Sequence, residues 1–296
     1  MTQQPTIKAV VVDLDGTLLN SSHELTPRTE AALRRAIDAG IIVMLATGKT
    51  RNAGLPFIER LGLQTPGIFL QGLAVYAGDG TPLRQQYLDD QLARQVITFA
   101  EDRGFHVVAY HGTNIYMKTA QPEVQKWVTN YHEPEPEIAG PLQNLLNRFS
   151  LNKLMIVGEP RAVTALRWQL NLQIDGAGRI VQAGIPQMLE VLPAGASKGA
   201  ALRWLLKDMK IAPETLVAIG DAENDIEMLR LAGIGVAMGN AAQAVKDAAD
   251  AVVASNDEDG VAEAIERFVL PPAAQAPTNG LGPAAAERAA EEKSTS

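Results

Sequence analysis

The chain has 296 residues, of which 20% are charged and 46% are hydrophobic, and its formal net charge is −8 at pH 7. This length predicts about two domains. The negative charge argues against nucleic-acid binding as the main role, because phosphate backbones are repelled by such a surface. The chain contains no cysteine, which excludes disulfides, thiolate nucleophiles and cysteine-type zinc sites. Carboxylates are the abundant hard ligands that remain, and they suit Mg²⁺.

The sequence shows no signal for membrane insertion or export. No uncharged apolar run approaches the roughly 18 residues that a membrane-spanning helix requires. The N-terminal stretch MTQQPTIKAVVVDLDG lacks the basic region and the cleavage site of a secretory signal. We therefore expect a cytoplasmic protein without a membrane partner.

The first part of the chain alternates apolar runs with helical patterns. The run IKAVVV at 7–12 is followed by the helical pattern LTPRTEAALRRAIDAG, and the run IIVMLA at 41–46 is followed by a helical pattern at about 50–61. A third run lies at 67–70. Continuous apolar runs are typical of strands buried on both faces of a parallel sheet, and this order of elements indicates βαβ units.

The pattern changes after about residue 83. The runs FHVVAY and TNIYMK flank His111-Gly112 and predict a pair of strands. The acidic, proline-containing segment 132–141 (HEPEPEIAGP) is expected to be irregular. Helices mixed with hairpin strands indicate an α+β insert.

The earlier alternation returns near residue 190. We expect a discontinuous core domain at 1–84 and 190–270, and an inserted α+β domain at 85–189. Residues 271–296 are rich in proline, alanine and glycine, with Leu281 as their only large apolar side chain. This tail is expected to be disordered, because it cannot bury enough apolar surface to become ordered.

Three of the apolar runs end in residues that can do chemistry. Asp13 follows the first run, Thr47 follows the second, and Asp221 follows the run at 216–219. Ligands of open parallel sheets bind outside the carboxyl ends of the strands. The three side chains are therefore expected to converge on one rim.

Asp13 and Asp15 lie two residues apart, so in extended geometry they face the same way. Two adjacent carboxylates repel each other and shift each other's pKa, which can leave one ionised and the other carrying a proton. A divalent cation would relieve the repulsion, and Asp221 could supply a further ligand. Taken alone, the Asp-x-Asp-Gly pattern, in which Gly16 permits a tight turn, is about as well explained by a simple turn.

The segment Thr47-Gly48-Lys49 offers a hydroxyl group, an uncovered backbone N–H and a cation near a helix start, which suits an anion. It is not a nucleotide-binding P-loop, because Val43 stands where that pattern requires glycine. Lys198 lies at another helix start, where a cation is unfavourable without an anionic neighbour. Asn224 and Asp225 are natural helix N-caps.

Together these residues resemble the motifs of a known family. The stretch Asp13-Leu14-Asp15-Gly16-Thr17, the pair Thr47-Gly48, Lys198, and Gly220-Asp221-x-x-Asn224-Asp225 are similar to the four motifs of the haloacid dehalogenase (HAD) superfamily. The insert resembles the type IIB (C2B) cap of its Cof-like sugar-phosphatase branch. The resemblance implies an α/β fold with a Rossmann-like parallel-sheet core and an inserted α+β cap domain.

The resemblance also implies a Mg²⁺-dependent phosphatase that works through an aspartyl-phosphate. Asp13 would be the nucleophile, and Asp15 would protonate the leaving oxygen and then activate water. Mg²⁺ would be held by Asp13, the backbone carbonyl of Asp15 and Asp221, with Asp225 as a ligand or a support. The phosphoryl oxygens would be held by Leu14, Gly16, Thr47, Gly48, Lys198 and Asn224.

The chain departs from the family pattern at two positions. Lys49 stands where many relatives have arginine, and Gln71 stands where many have asparagine. Both are expected near the site entrance, where they bear on substrate preference and not on the chemistry.

The expected substrate is a small phosphorylated metabolite, with sugar phosphates favoured, and the expected state is a monomer or homodimer. A phosphomutase and, less favoured, a non-catalytic binding protein on the same scaffold remain alternatives. Within the cap, the hairpin offers four candidate substrate contacts, although strand packing is the better explanation for any one of them: Tyr110, Asn114, Tyr116 and Lys118.

Overall fold

The computed structural model describes residues 6–182 and 186–270. The tail at 271–296, for which the sequence predicts disorder, lies outside the described residues. The strands in chain order are β1 (Ala9–Val12), β2 (Ile42–Leu45), β3 (Gly67–Phe69), β4 (Ala74–Tyr76), β5 (Pro82–Gln85), β6 (His106–His111), β7 (Asn114–Met117), β8 (Glu137–Ile138), β9 (Lys153–Val157), β10 (Gly178–Gln182), β11 (Met188–Pro193), β12 (Leu216–Gly220), β13 (Ile234–Ala237) and β14 (Ala251–Val252). The α-helices are α1 (Pro27–Asp38), α2 (Arg51–Leu61), α3 (Asp90–Glu101), α4 (Pro122–Asn130), α5 (Pro160–Ile174), α6 (Lys198–Asp208), α7 (Ile226–Leu231), α8 (Gln243–Lys246) and α9 (Gly260–Ala264).

A five-stranded parallel sheet forms the centre of the molecule. Its strand order is β14-β13-β12-β1-β2, so β1 lies between β12 and β2. One face packs against α1, where Leu33 and Ala36 are fully buried, and the other packs against α6, where Leu202 and Leu205 are fully buried. Because helices cover both faces, every residue of β1 is buried. The expected Rossmann-like parallel-sheet core is confirmed.

A second, six-stranded sheet has the order β10-β11-β9-β6-β7-β8 and is mainly antiparallel. One face packs against α3 and α5 around a shared apolar cluster. The opposite face carries Val108, Tyr110 and Met155, which share a cluster with Phe69 and Tyr76 from the region after the parallel sheet. This sheet therefore lies against the region that follows β2.

The third apolar run, at 67–70, was predicted to continue the parallel sheet as the next strand of a βαβ unit, and that prediction is wrong. It forms β3 of a separate antiparallel sheet, β3-β4-β5, and meets the segment after β2 through a bridge between Ala46 and Ile68. The glycine-containing turn at 78–80 folds β5 back on β4, which favours local antiparallel pairing over a crossover. The segment 132–141, which was expected to be irregular throughout, contains the short strand β8, which pairs with β7.

The predicted domain boundaries fall inside strands of the structure. The boundary at 84/85 lies within β5, and the boundary at 189/190 lies within β11, which pairs with β9 and β10 of the six-stranded sheet. The division into 1–84 with 190–270 and 85–189 stays a prediction. Within the described residues, none of the helices combines the length and apolar character needed to cross a membrane.

Replacing Leu33 by alanine is expected to lower the free energy of unfolding by about 2–5 kcal/mol, because the side chain is fully buried and leaves a cavity. Urea denaturation measures the change. The matched control is Leu83→Ala, since Leu83 is 41% exposed and its truncation is expected to stay within about 0.5 kcal/mol. Equal effects of the two substitutions would contradict the packing described for α1.

Candidate functional site

The carboxyl ends of β1, β2 and β12 meet at one edge of the parallel sheet. Asp13, Thr47 and Asp221, which follow these strands, all line a cavity of ≈ 330 Å³ at that edge. The sequence-based expectation that they share one rim agrees with this placement. The opposite wall of the cavity is formed by residues of β9, β11 and the region around α4.

Lys198 links two of the aspartates. Its Nζ donates to Asp13 Oδ1 at 2.6 Å and to Asp225 Oδ1 at 2.7 Å. All three side chains are buried, and Asp225 is completely inaccessible. The anionic neighbour that a cation at the start of α6 requires is therefore supplied by β1 and by the turn before α7.

Asp225 also fixes the backbone of the loop after β12. Its Oδ2 accepts hydrogen bonds from the N–H groups of Asp221, at 3.1 Å, and Ala222, at 3.0 Å. The Asp221 carboxylate accepts a further bond from Thr17 Oγ1 at 2.7 Å. Gly16 has φ +79°, and a Cβ there would come within 2.5 Å of Asp221 Oδ2, so glycine is needed for this approach.

Burial dominates the electrostatics of the carboxylates. It raises the pKa of Asp13 well above its ordinary value, against the lowering effect of Lys198, and the charges of Asp225 and Asp221 raise it further. Burial and the charge of Asp225 raise the pKa of Asp221 to about 6. Burial alone would lower the pKa of Lys198, but Asp13 and Asp225 outweigh it and raise this pKa above its ordinary value.

The aspartate cluster fits a divalent metal ion. Asp13, Asp221 and Asp225 each offer a carboxylate oxygen, and these oxygens lie within 4.8 Å of one another. Hard oxygen donors at this spacing suit Mg²⁺. Burial first, and then the charge of Asp225, raises the pKa of Asp221, so a cation bound here would favour the ionised carboxylate. The Asp15 side chain is not part of this cluster, so the prediction for Asp15 concerns its backbone carbonyl.

Asp15 is partly exposed and has two nitrogen neighbours. Lys49 Nζ lies 2.9 Å from Asp15 Oδ1 as an ion pair, though not in hydrogen-bond geometry. His23 Nδ1 lies 3.3 Å from the same oxygen. Lys49 is only 5% exposed and lines the cavity, and its ammonium group lies 5.2 Å from the Tyr131 ring centre. Its expected place near the site entrance stays a prediction.

Gln71 is also buried and lines the cavity, and its expected place near the entrance likewise stays a prediction. Its left-handed backbone, with φ 61°, turns the side chain inward. Asn224 Nδ2 donates to Gln71 Oε1 at 2.8 Å, and Gln71 Nε2 donates to Glu190 Oε2 at 2.8 Å. A Cβ on Gly48 would approach Gln71 Nε2 to 2.5 Å. The amide of Gln71 therefore lies directly over Gly48.

The remaining residues predicted for the phosphoryl group differ in their access to the cavity. Gly16, Thr47, Gly48, Lys198 and Asn224 line it, and Oδ1 of Asn224 is buried without a hydrogen-bond partner. Leu14 is fully buried in the apolar core, so a role for Leu14 rests on its backbone. These roles stay predictions.

Three charged residues of the opposite wall were missed from the sequence. Glu133, Lys153 and Glu190 line the cavity and are 7%, 2% and 4% exposed. Lys153 and Glu190 are single charges in the otherwise apolar runs at 153–157 and 188–193. A lone charge in a strand of apolar residues is the sequence signal that could have identified them. Glu133 lies in the segment expected to be irregular, and nothing in its local sequence marks it.

The candidate contacts in the hairpin do not line this cavity. Tyr110 and Tyr116 are buried in apolar clusters, Asn114 is exposed, and Lys118 pairs with Glu101 at 3.1 Å. Strand packing and a surface ion pair account for them.

A family model of haloacid dehalogenase-like hydrolases matches residues 10–265. The chain belongs to this family. The match includes every residue of the site described above, and the family resemblance predicted from the sequence is confirmed. Curated relatives of this HAD-family chain are named phosphatases, which confirms the expected enzyme class.

The alignments with individual relatives cover most of this chain. The Bacillus subtilis phosphatase YwpJ is 29% identical over 287 residues, covering 89% of this chain and 100% of that protein. An Arabidopsis thaliana protein named as the chloroplastic endoribonuclease YBEY is 33% identical over 277 residues, covering 90% of this chain. The chain spans only 47% of the length of that plant protein.

A solved structure titled as the HAD subclass IIB sugar phosphatase BT4131 matches with a TM-score of 0.77 and 25% identity. The match covers 88% of this chain and 97% to 98% is replaced by the single printed share, 98% of that chain. The α/β HAD fold with additional sheets, consistent with a cap, is thereby confirmed. The six-stranded sheet and its helices are called the cap from here on.

Removing the charge of Asp221 is expected to stabilise the metal-free HAD protein at high pH. Because the pKa of Asp221 is raised from its ordinary value of 3.8 to about 6, the folded state loses stability as pH rises through that interval. The Asp221→Asn variant, in EDTA, should therefore melt above the wild type at pH 8, and the difference should vanish near pH 4. Each kcal/mol corresponds to about 2–4 °C in a protein of this size.

Melting temperatures measured with and without Mg²⁺ report both the effect of removing the Asp221 charge and the effect of metal binding. Mg²⁺ should raise the melting temperature of the wild type at pH 8 and have a smaller effect on Asp221→Asn. The exposed substitution Asp208→Asn is the control. A Mg²⁺ response that is equal in all three proteins would remove Asp221 from the metal site.

Proposed function

We propose that the protein is a Mg²⁺-dependent phosphatase that hydrolyses small phosphate monoesters through a covalent aspartyl-phosphate on Asp13. The observation that carries the proposal is the cluster of Asp13, Asp221 and Asp225 with Lys198 at the carboxyl edge of a parallel sheet, in which all but the half-buried Asp221 are buried. Phosphoryl transfer depends mainly on positioning and charge neutralisation, and this cluster offers both a nucleophile and sites for cations.

Asp13, the backbone carbonyl of Asp15 and Asp221 would hold Mg²⁺, with Asp225 as a ligand or as the group that fixes the loop carrying Asp221. When bound, the ion supplies positive charge that favours ionised carboxylates and screens the phosphoryl oxygens. Lys198 contributes the same kind of screening, since its ammonium already lies 2.6 Å from Asp13.

In the first half of the reaction an Asp13 carboxylate oxygen attacks phosphorus. The bond between phosphorus and the ester oxygen breaks, and Asp15 gives its proton to the departing alkoxide. The product is an alcohol and an acyl phosphate on Asp13. A carboxylate nucleophile of this kind divides hydrolysis into two easier steps.

In the second half Asp15 takes a proton from water, and the resulting hydroxide attacks phosphorus. The bond to Asp13 breaks, which releases inorganic phosphate and regenerates both carboxyl groups. Lys49 Nζ lies 2.9 Å from Asp15 Oδ1, so the side chain that exchanges the proton has a fixed cationic neighbour.

The phosphoryl oxygens would be held from the core side of the cavity. The donors proposed are the Thr47 hydroxyl, the Asn224 amide, the Lys198 ammonium and the backbone N–H groups of Leu14, Gly16 and Gly48. Backbone N–H groups in loops next to helix starts suit phosphate.

The leaving group is proposed to be a small polar metabolite, with sugar phosphates favoured. A cavity of ≈ 330 Å³ lies at the small end of the range for metabolite sites. The Glu190 carboxylate on the cap wall can accept hydrogen bonds from hydroxyl groups, and the similarity to a sugar phosphatase supports the same class. A cytoplasmic location and a monomeric or homodimeric state stay predictions.

Replacing Asp13 by asparagine is expected to lower kcat for an aryl phosphate by at least about 10³-fold, because the amide is not a nucleophile. The release of inorganic phosphate in Mg²⁺ measures the loss. Asp208→Asn, an exposed aspartate on α6, makes the same chemical change and should leave kcat unchanged. Full activity of Asp13→Asn, or of the wild type without divalent metal, would contradict the mechanism.

A phosphate-release screen across sugar phosphates, nucleotides, pyridoxal phosphate and flavin mononucleotide identifies the substrate class. Sugar phosphates are expected to give the highest kcat/KM. A product that keeps its phosphate on a different hydroxyl group would instead indicate a phosphomutase. Failure to turn over any member of the panel would indicate a binding protein on this scaffold.

A further inference from the structure

Two buried charges of the cap contact the same short segment of the core. Lys153 Nζ donates to the carbonyl oxygen of Gly48 at 2.9 Å. The Glu133 carboxylate accepts from the backbone N–H of Thr50 at 3.3 Å and from Thr50 Oγ1 at 2.6 Å. The contacted residues lie within segment 47–50, which joins β2 to α2 and carries the proposed phosphoryl donors Thr47 and Gly48.

The contact of Lys153 fixes a peptide group inside this segment. The peptide between Gly48 and Lys49 presents its carbonyl to Lys153, and its N–H, on Lys49, donates to Thr47 Oγ1 at 3.2 Å. The orientation of this peptide therefore decides which way the Thr47 hydroxyl can donate. A cap side chain thus acts on a hydroxyl that faces the cavity from the core.

Glu133 acts at the other end of the segment. Thr50 is the N-cap of α2 and accepts from the N–H of Ala53 at 3.3 Å, so its hydroxyl bridges the helix start and the cap carboxylate. The start of α2 is held by the core and by Glu133 at the same time. Both ends of segment 47–50 are therefore connected to the cap.

These side chains are expensive to bury. Lys153 is 2% exposed and Glu133 is 7% exposed. Burial raises the pKa of Glu133, although the hydrogen bonds from Thr50 and the charges of Lys153 and Lys49 oppose that rise. Apolar side chains of the same volume would hold the cap against the core without the desolvation free energy of buried charges. The charged groups therefore indicate a role beyond packing.

Lys153 is itself held in place by its ion pair with Glu190, which in turn accepts from Gln71 Nε2 at 2.8 Å. Its ring contact with Tyr110, at 4.5 Å from the ring centre, adds a second restraint. The ammonium group is therefore fixed relative to the cap and directed at Gly48.

We propose that Lys153 and Glu133 are positioning residues, through which the cap sets the geometry of segment 47–50 for binding the phosphoryl group. The inference rests on the proposed phosphatase site and deepens it. The two residues act on the phosphoryl group through Gly48 and Thr50, so their effect does not depend on the leaving group.

Binding of inorganic phosphate in Mg²⁺, measured by calorimetry, tests this directly because phosphate has no leaving group. Lys153→Met keeps the length of the side chain and removes its charge. It should weaken phosphate binding by at least about tenfold, the effect of losing one hydrogen bond from a charged group. Lys118→Met is the matched control, since Lys118 is a half-exposed lysine of the cap that pairs with Glu101, and it should stay within about twofold of the wild type.

Four further variants separate positioning from folding. Lys153→Met leaves Glu190 buried without its partner, so Lys153→Met with Glu190→Gln is compared with Glu190→Gln alone, and the same tenfold loss is expected. Glu133→Gln keeps one acceptor for Thr50 and should weaken phosphate binding less than Glu133→Ala. Thermal melts identify any variant that is unfolded at the assay temperature.

Steady-state kinetics supply the second readout. For two esters with leaving groups of different size, Lys153→Met should lower kcat/KM by the same factor. Unchanged phosphate binding together with a loss confined to the larger ester would overturn the inference and make Lys153 a leaving-group contact. Unchanged values in both assays would overturn it as well.

The outcome for the proposed function is read separately. A wild type that binds phosphate, with the expected sensitivity to Lys153, but hydrolyses no ester would refute the phosphatase activity and leave the positioning role intact. A wild type that hydrolyses esters, together with a Lys153→Met variant that binds phosphate normally, would support the phosphatase activity and refute the positioning role. A wild type that hydrolyses esters but does not bind phosphate would overturn the positioning inference and leave the phosphatase activity intact.

Discussion

Mutual repulsion among the buried aspartates is the constraint on which the site depends. Asp13, Asp221 and Asp225 bring three negative charges within 4.8 Å, and Lys198 returns one positive charge, so the ionised cluster carries −3 + 1 = −2. A charge of this size is not stable in a buried place without compensation. The imbalance equals the charge of one divalent cation. The pKa of Asp221 is raised first by burial and then by the charge of Asp225, so the same repulsion is one of its causes.

The fold creates this crowding by its topology. In a parallel sheet the carboxyl ends of neighbouring strands lie side by side, so residues far apart in sequence, such as Asp13 and Asp221, meet after β1 and β12. Close approach then needs a residue without a side chain at position 16. The loop after β12 also needs a buried acceptor for its N–H groups, and Asp225 provides it. Positioning and charge accumulation therefore have the same structural origin.

The core half of the site could be predicted from the sequence because its signals are local. Each apolar run ends in a polar residue, and the parallel arrangement follows from the run lengths, so Asp13, Thr47 and Asp221 could be placed without coordinates. The cap half could not, because Lys153 meets Gly48 across 105 residues and Glu133 meets Thr50 across 83. Those contacts depend on how the cap lies on the core, and the hydrophobic periodicity of the sequence contains no information about that arrangement. The inward turn of Gln71 was missed for a related reason: its left-handed backbone has no glycine to mark it.

The charge pairing within the cavity has a consequence for the order of binding. Each lysine that lines the cavity in the described part of the chain already has an anionic partner: Lys49 has Asp15, Lys153 has Glu190, and Lys198 has Asp13 and Asp225. Glu133 adds a further carboxylate to the same wall. A phosphate ester entering this site therefore meets no surplus of positive charge from side chains. For the proposed phosphatase, an anion is repelled until the aspartate cluster is neutralised, so the proposed divalent cation would bind before, or together with, the ester.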